Sequence, residues 1–251
     1  MKTSPVILIS GASGGIGQAA AIECASHGAR IAVHYFNNQQ RAEQTLAKLG
    51  GDGHVLFGAD LTDPDAVAGL VDNVQQEMGG LDVVVNNAGV SERHRFTDMD
   101  YQTWQSTWKR IVETNLTGPA NLSFCAGRAM IERGGGRIVN VSSRGAFRGE
   151  PLMPWYGASK AGLNAMGQSL AQALITQNVY VYTVAPGFVE TEMAAKILAS
   201  PEGEQIRAQS PAGRVAQPQE IAKTIHFLAM EAPEFMTGCI IDVNGASYLR
   251  S

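Results

Sequence analysis

Apolar and polar positions along this chain alternate between two periods. Short runs of aliphatic and β-branched residues stand at Val6–Ile9, Ile31–Tyr35, His54–Ala59, Leu81–Val85, Arg137–Val141, Val179–Val184 and Cys239–Val243. Each is too short for a helix and reads as a strand, and the unbroken run Leu81–Val85 reads as one buried on both faces. Longer stretches with helical spacing lie between them. The first follows Gly17 and closes at Gly28, where a C-cap belongs. Others are Asn38–Leu49, Pro64–Met78 with Pro at its start, Tyr156–Thr176 and Pro218–Met230. A long one after Asp100 is broken or bent near Gly118-Pro119. Strand alternating with helix over the whole length predicts an α/β fold with a doubly wound parallel sheet. No repeat, low-complexity tract or linker interrupts the pattern, so residues 1–251 read as a single domain.

Composition narrows the function classes. A net charge of -4 and a pI near 5.7 give no electrostatic reason to expect nucleic acid or an anionic membrane as a partner. Cys24, Cys125 and Cys239 are odd in number, widely spaced and set among apolar residues; they read as reduced thiols, without metal-ligand spacing. The apolar run near the N-terminus is too short for a signal peptide, and no stretch approaches the ~20 apolar residues of a membrane span. A soluble, cytoplasmic protein is the expectation.

The chemistry gathers at the carboxyl ends of the strands, where ligands bind in such sheets. After the first strand comes Ser10-Gly-Ala-Ser-Gly-Gly-Ile-Gly17, with glycines at Gly11, Gly15 and Gly17. Glycines between strand and helix let backbone approach a pyrophosphate, and the helix N-terminus offers free N–H groups. A structural turn is the alternative. Asp60 follows the third strand and either accepts bonds from an adenine ring or caps the next helix. Asn86-Asn-Ala-Gly89 follows the fourth, as a wall beside a cofactor ribose or as a polar turn. Ser143 follows the fifth. Tyr156 and Lys160 lie one helical turn apart and so share a helix face. A cation beside a phenol lowers its pKa from ~10 toward the range useful for acid–base work.

With these residues in place the chain resembles the short-chain dehydrogenase/reductase family along essentially its whole length, through SGASGGIG, NNAG, Asn115 in ETNLTG, VSS, YGASK and APGFVET in that order. The likeness implies a Rossmann-type, three-layer α/β/α fold, a nicotinamide cofactor and a catalytic set of Asn115, Ser143, Tyr156 and Lys160. It implies that Ser143 orients a carbonyl oxygen and Tyr156 protonates it during reduction. Lys160 would lower the Tyr156 pKa and bind ribose hydroxyls, and Asn115 would bend its helix and hold a water for a proton relay. Ser143 is chosen over Ser142 because the family's serine usually lies thirteen residues before the tyrosine. The cofactor would be held by Gly11, Ser13, Gly15, Ile16, Gly17, Tyr35, Asn37, Asn38, Asp60, Leu61, Asn87, Ala88, Gly89, Tyr156, Lys160, Pro186, Gly187, Val189 and Thr191. No metal is expected.

Cofactor choice turns on the residues after the second strand. Relatives that use NAD usually carry an acidic residue at the Tyr35 position, which repels a 2′-phosphate; none is present. Asn37 and Asn38 resemble the NADP-dependent pattern, although Gly14 stands where many such relatives have Arg, and Arg41 is the candidate substitute. NADP(H) is therefore expected, with NAD(H) as the alternative. The segment near Arg214 and the closing VNGASY resemble 3-oxoacyl-carrier-protein reductases. Gly134 and Gln177 are neutral where such enzymes grip the acidic carrier, with Arg133 adjacent, so a small ketone, keto ester, sugar or cyclic substrate is at least an equal expectation. Pocket candidates are Ser91, Arg144, Leu152, Met153, Trp155, Phe188 and residues 192–198; Arg93, Arg95, Arg144 and Arg148 offer a possible anion site. Small residues Ala158, Ala161, Gly162, Ala165 and Ala171 on the Tyr156 helix fit the homotetramer that the family implies. A nucleotide-binding scaffold without turnover is the alternative of a different class.

Overall fold

The computed structural model describes residues 4–250. Seven strands form one parallel sheet: β1 (Val6–Ile9), β2 (Arg30–Tyr35), β3 (Val55–Gly58), β4 (Val83–Asn86), β5 (Gly136–Val141), β6 (Val179–Pro186) and β7 (Ile240–Val243). Their spatial order is β3-β2-β1-β4-β5-β6-β7. β1 pairs with β2 on one side and β4 on the other, so the order reverses beside β1. This is the switch point where a doubly wound sheet opens a crevice.

Helices cover both faces, as the continuous burial of β1 and β4 requires. Along β1, successive side chains point to opposite faces. Ile7 and Ile9 pack under α1 (Gly15–Ser26), and Val6 and Leu8 under the helices of the other face. On α1 the buried positions are Gly17, Ala19, Ala20, Ala21, Cys24 and Ala25, all small, which lets it lie close on the sheet. Next come α2 (Gln39–Leu46), α3 (Pro64–Met78), α4 (Tyr101–Val112), α5 (Gly118–Glu132), α6 (Gly145–Arg148), α7 (Pro154–Leu174), α8 (Glu192–Leu198), α9 (Glu202–Ala208) and α10 (Pro218–His226).

Several boundaries differ from the sequence expectation. α1 ends at Ser26 with His27 as its C-cap, and Gly28 follows with φ 86, one step past the cap. The long helix is not broken at Gly118-Pro119. It runs from Tyr101 to Glu132 through a π turn at Glu113–Thr117, and Pro119 sits in the first turn of α5, where its missing N–H costs little. The 218–230 stretch likewise divides into α10 and a π turn at Phe227–Glu231. α6, α8 and α9 occupy segments for which the sequence predicted no helix. All three cysteines are free thiols, and burial pushes the Cys24 thiol up to about 12. Among the described residues, no helix is long and apolar enough to cross a membrane.

Candidate active site

The glycine loop is built for close approach by a ligand. Gly11 and Gly15 have φ of 65 and 53, a region that disfavours side chains. A Cβ at Gly17 would strike the Gly11 carbonyl oxygen and lie 2.5 Å from Asn87 Nδ2. No side chain caps the start of α1, which leaves its first N–H groups available to a phosphate. The shape and donors of this cradle fit a dinucleotide.

Buried Ser10 and His34 and half-buried Asn87 fix the loop, and Ser10 and His34 escaped sequence reasoning. Ser10 Oγ accepts from the backbone N–H groups of Asn87 (2.9 Å) and Ala88 (3.0 Å) and donates to the Val85 carbonyl. Asn87 Nδ2 donates to the carbonyls of Ser10 (2.9 Å) and Gly11 (3.3 Å), so this amide holds the loop. His34 Nδ1 accepts from the Gly11 N–H at 3.1 Å, so its Nε2–H donates to the Ala59 carbonyl. Burial lowers the His34 pKa to about 4 from an ordinary 6.5. As pH falls through that window, the unfolded chain takes up a proton that folded His34 refuses. Stability present above pH 6.5 is thus lost toward pH 4, by about 3 kcal/mol from this group. Urea unfolding from pH 7 to 4 checks this; His34→Asn, which cannot titrate, should show a shallower decline.

Around the rim, Tyr35 folds its ring over Gly58 and donates to Gln39 Oε1 at 3.1 Å. Asn38 caps α2 by accepting from the Arg41 N–H, which leaves its Nδ2 free for a ligand. Asp60 Oδ1 is taken by Thr62, and Asp63, not Asp60, caps α3. Leu61 and Val189 have their side chains in the core, so only their backbones are available to a cofactor. Ser13 and Ile16 lie half-buried in the loop. The Gly187 N–H donates to the Val243 carbonyl and the Pro186 carbonyl accepts from Arg144, which together anchor the turn after β6. That turn carries Thr191 across to the glycine loop, with its Cγ2 3.3 Å from where a Gly15 Cβ would be.

The proposed catalytic set converges on the end of β5. Ser143 Oγ accepts from the Gly145 N–H (3.0 Å) and lies near the Tyr156 phenol, whose pKa it pulls down. Ser142 instead bonds the Lys160 carbonyl and the β6 backbone, which leaves Ser143 as the serine facing the tyrosine. Lys160 is buried, and its Nζ donates to the Val141 carbonyl (2.8 Å). It lies 5.9 Å from the Tyr156 ring centre. Asn115 sits in the π turn with both amide atoms committed to Val90, at 2.8 and 2.9 Å, and its Nδ2 also reaches Ser159 Oγ. Ser159, also missed from sequence, donates to the Tyr156 carbonyl. A Gly89 Cβ would lie 3.3 Å from Asn115 Oδ1 and 3.5 Å from Lys160 Nζ, so only glycine leaves this wall open.

One electrostatic expectation reverses. Burial raises the Tyr156 phenol above its ordinary value, against the opposing influence of the Ser143 hydroxyl, and Lys160 is not among the causes. The desolvation falls on the lysine too, whose pKa is lowered to about 8.

Beyond the set, a cavity of about 190 Å³ is lined by Leu152, Met153, Phe188, Ile206, Arg93 and Arg148. Ser91 does not line it and instead touches Met193 of α8. Trp155 does not face it: this ring is fully buried and packs edge-on against Trp104. The four arginines do not make one anion site. Arg93 pairs with Glu202 and Arg148 with Glu150, Arg144 binds Gln209 and stacks on Phe188, and Arg95 is exposed.

Residues 11–246 match the family described as enoyl-(acyl carrier protein) reductase. The 3-oxoacyl-[acyl-carrier-protein] reductase FabG of Staphylococcus aureus is 34% identical over 251 residues, covering 99% of this chain and 100% of its own length. Among solved structures, gox2181 superposes with a TM-score of 0.91 at 28% identity, over 97% of this chain and 95% of its own. A protein from Agrobacterium tumefaciens does so at 0.90 and 27%, with the same coverage. A match of this extent, on a sheet whose switch point carries the glycine cradle, shows that the chain belongs to the short-chain dehydrogenase/reductase family, as an NAD(P)-dependent oxidoreductase acting on carbonyl or hydroxyl groups.

Proposed function

We propose that this enzyme is a cytoplasmic, NADP(H)-preferring reductase of small carbonyl compounds, working through Asn115, Ser143, Tyr156 and Lys160. The observation that carries the reading is the grouping of Ser143, Tyr156 and buried Lys160 at the end of β5, with Lys160 Nζ 5.9 Å from the Tyr156 ring centre and close to Gly89. The bound nicotinamide would supply the hydride. Ser143 and Tyr156 hold the carbonyl oxygen between two hydroxyls, and Tyr156 gives up its proton as negative charge develops there. Lys160 keeps N–H groups free beyond its bond to Val141, for ribose hydroxyls and for restoring the phenol. Asn115 fixes Val90 and, through Ser159, the first turn of α7, so it acts as a positioning residue.

Preference for NADP(H) is supported by the missing carboxylate at Tyr35 and by Arg41, whose guanidinium hangs over Gly14. That is the space an arginine at position 14 would fill. A free small substrate is favoured over a carrier-bound one because Arg133 is spent on the Gly79 carbonyl, beside neutral Gly134 and Gln177. A homotetramer is supported by exposed Ala158 and Ala165 on α7 and by Phe124 on α5, which is 69% exposed. Gly162 and Ala171 face this chain's own Leu116 and Gly238, so they add nothing to that interface.

Fluorescence titration with NADPH and NADH, followed by NADPH oxidation with ketones, keto esters and sugars, tests the reading. NADPH is expected to bind at least about tenfold more tightly, the effect of one charge-assisted contact. Tighter NADH would redirect the search to alcohol and polyol oxidation, and binding of neither would favour a scaffold.

A further inference from the structure

At the amino end of the sheet, away from the cofactor crevice, α1 ends against α10. The 12 residues of α1 put this end about 18 Å from the glycine loop. Here Glu23 and His27 meet His226, one ligand atom of each lying within 4.8 Å of the others. The two imidazoles are 4.0 Å apart, centre to centre, and tilted by 33°. Glu231 Oε1 lies 3.8 Å from His226 Nε2, too far for a hydrogen bond and near enough to share an ion. The π turn at Phe227–Glu231 sets this spacing, bringing a residue five positions on back toward the histidine. π turns recur at functional positions, and the other one in this chain holds Asn115.

We propose that Glu23, His27, His226 and Glu231 bind one divalent transition-metal ion, with Zn2+ as the expected occupant, and that it ties α1 to α10. Two imidazoles and two carboxylates suit Zn2+, Co2+ or Ni2+, whereas Mg2+ and Ca2+ favour all-oxygen sites. His27 Nδ1 is 2.9 Å from the Glu23 carbonyl oxygen and 3.2 Å from Ser26 Oγ. That contact orients the ring and leaves Nε2 to coordinate, the outer support that metal-binding histidines usually have. His27 also caps the C-terminus of α1, where the helix dipole favours a cation. Exposed His27 and Glu231 give the ion a way in from solvent, and buried His226 gives the site a rigid floor.

The test uses the full chain, stripped with chelator and titrated with Zn2+ by calorimetry and with Co2+ by absorbance. One Zn2+ per chain is expected at about 10 µM or tighter, raising Tm because the ion binds only the folded state. His27→Gln and His226→Gln should each weaken binding at least about tenfold and abolish the Tm shift. NADPH affinity should not change, because the glycine loop lies at the far end of α1. If His226→Gln does not fold, exposed His27 decides the question. No saturable binding, or binding unaffected by His27→Gln, overturns the proposal.

Discussion

Tyr156→Phe is expected to lower kcat for carbonyl reduction by about 10²–10⁴-fold, the usual size of a general acid's contribution. The substitution removes one oxygen and leaves the ring in place, so Lys160 keeps its bond to the Val141 carbonyl. NADPH affinity should therefore shift by less than about twofold, marking an interaction needed mainly in the transition state. Full activity in this variant would sink the assigned mechanism. A parallel loss of NADPH binding would mean that the phenol holds the cofactor and is not the acid.

The same change should erase a pH dependence. Burial holds the Tyr156 phenol above its ordinary value, so in the free enzyme it stays protonated through the neutral range. Lys160, lowered to about 8, is charged below that pH and neutral above it. Reduction needs the proton on Tyr156, so its rate should be flat at neutral pH and fall on the alkaline side. Alcohol oxidation needs the phenolate and should rise as pH increases. In Tyr156→Phe the residual rate should lack both trends.

How much of this was legible in the sequence depends on the range of the interaction. The strands could be read because burial on both faces leaves continuous apolar runs, and β1 falls where its residues predict. The glycine loop could be read because only glycine tolerates φ of 65 at Gly11 beside a neighbouring backbone. The π turns could be read only in part: a bend at Asn115 was implied by the family resemblance, but the register of Glu113–Thr117 is set by the Asn115 bonds to Val90, 25 residues away. His34 and Ser10 were missed for the same reason, since each is ordinary in its own strand and acts on a loop another strand positions. Tyr156 shows the converse. Its spacing to Lys160 was visible, but the sign of its pKa shift depends on burial by residues remote in sequence.

Arg41→Ala carries the second large effect: a loss of about 10–100-fold in NADPH affinity with NADH affinity unchanged. A charge-assisted bond to a 2′-phosphate contributes about 1.5–3 kcal/mol, and each 1.4 kcal/mol is a factor of ten. Arg41 is placed for this by the Asn38 cap, which starts α2 so that its guanidinium reaches back over Gly14. In the free protein it pairs with Glu192 of α8 at 2.7 Å. Both partners are substantially exposed, with side chains 39% and 77% accessible, so solvent screens the pair and a phosphate can displace the carboxylate. Glu192→Gln should accordingly leave NADH binding alone and tighten NADPH by no more than about threefold, the worth of a weak surface pair. Equal losses for both cofactors in Arg41→Ala would show that this side chain supports the glycine loop and does not read the phosphate. A selective loss would mean that the charge family members often place at position 14 is supplied here from α2.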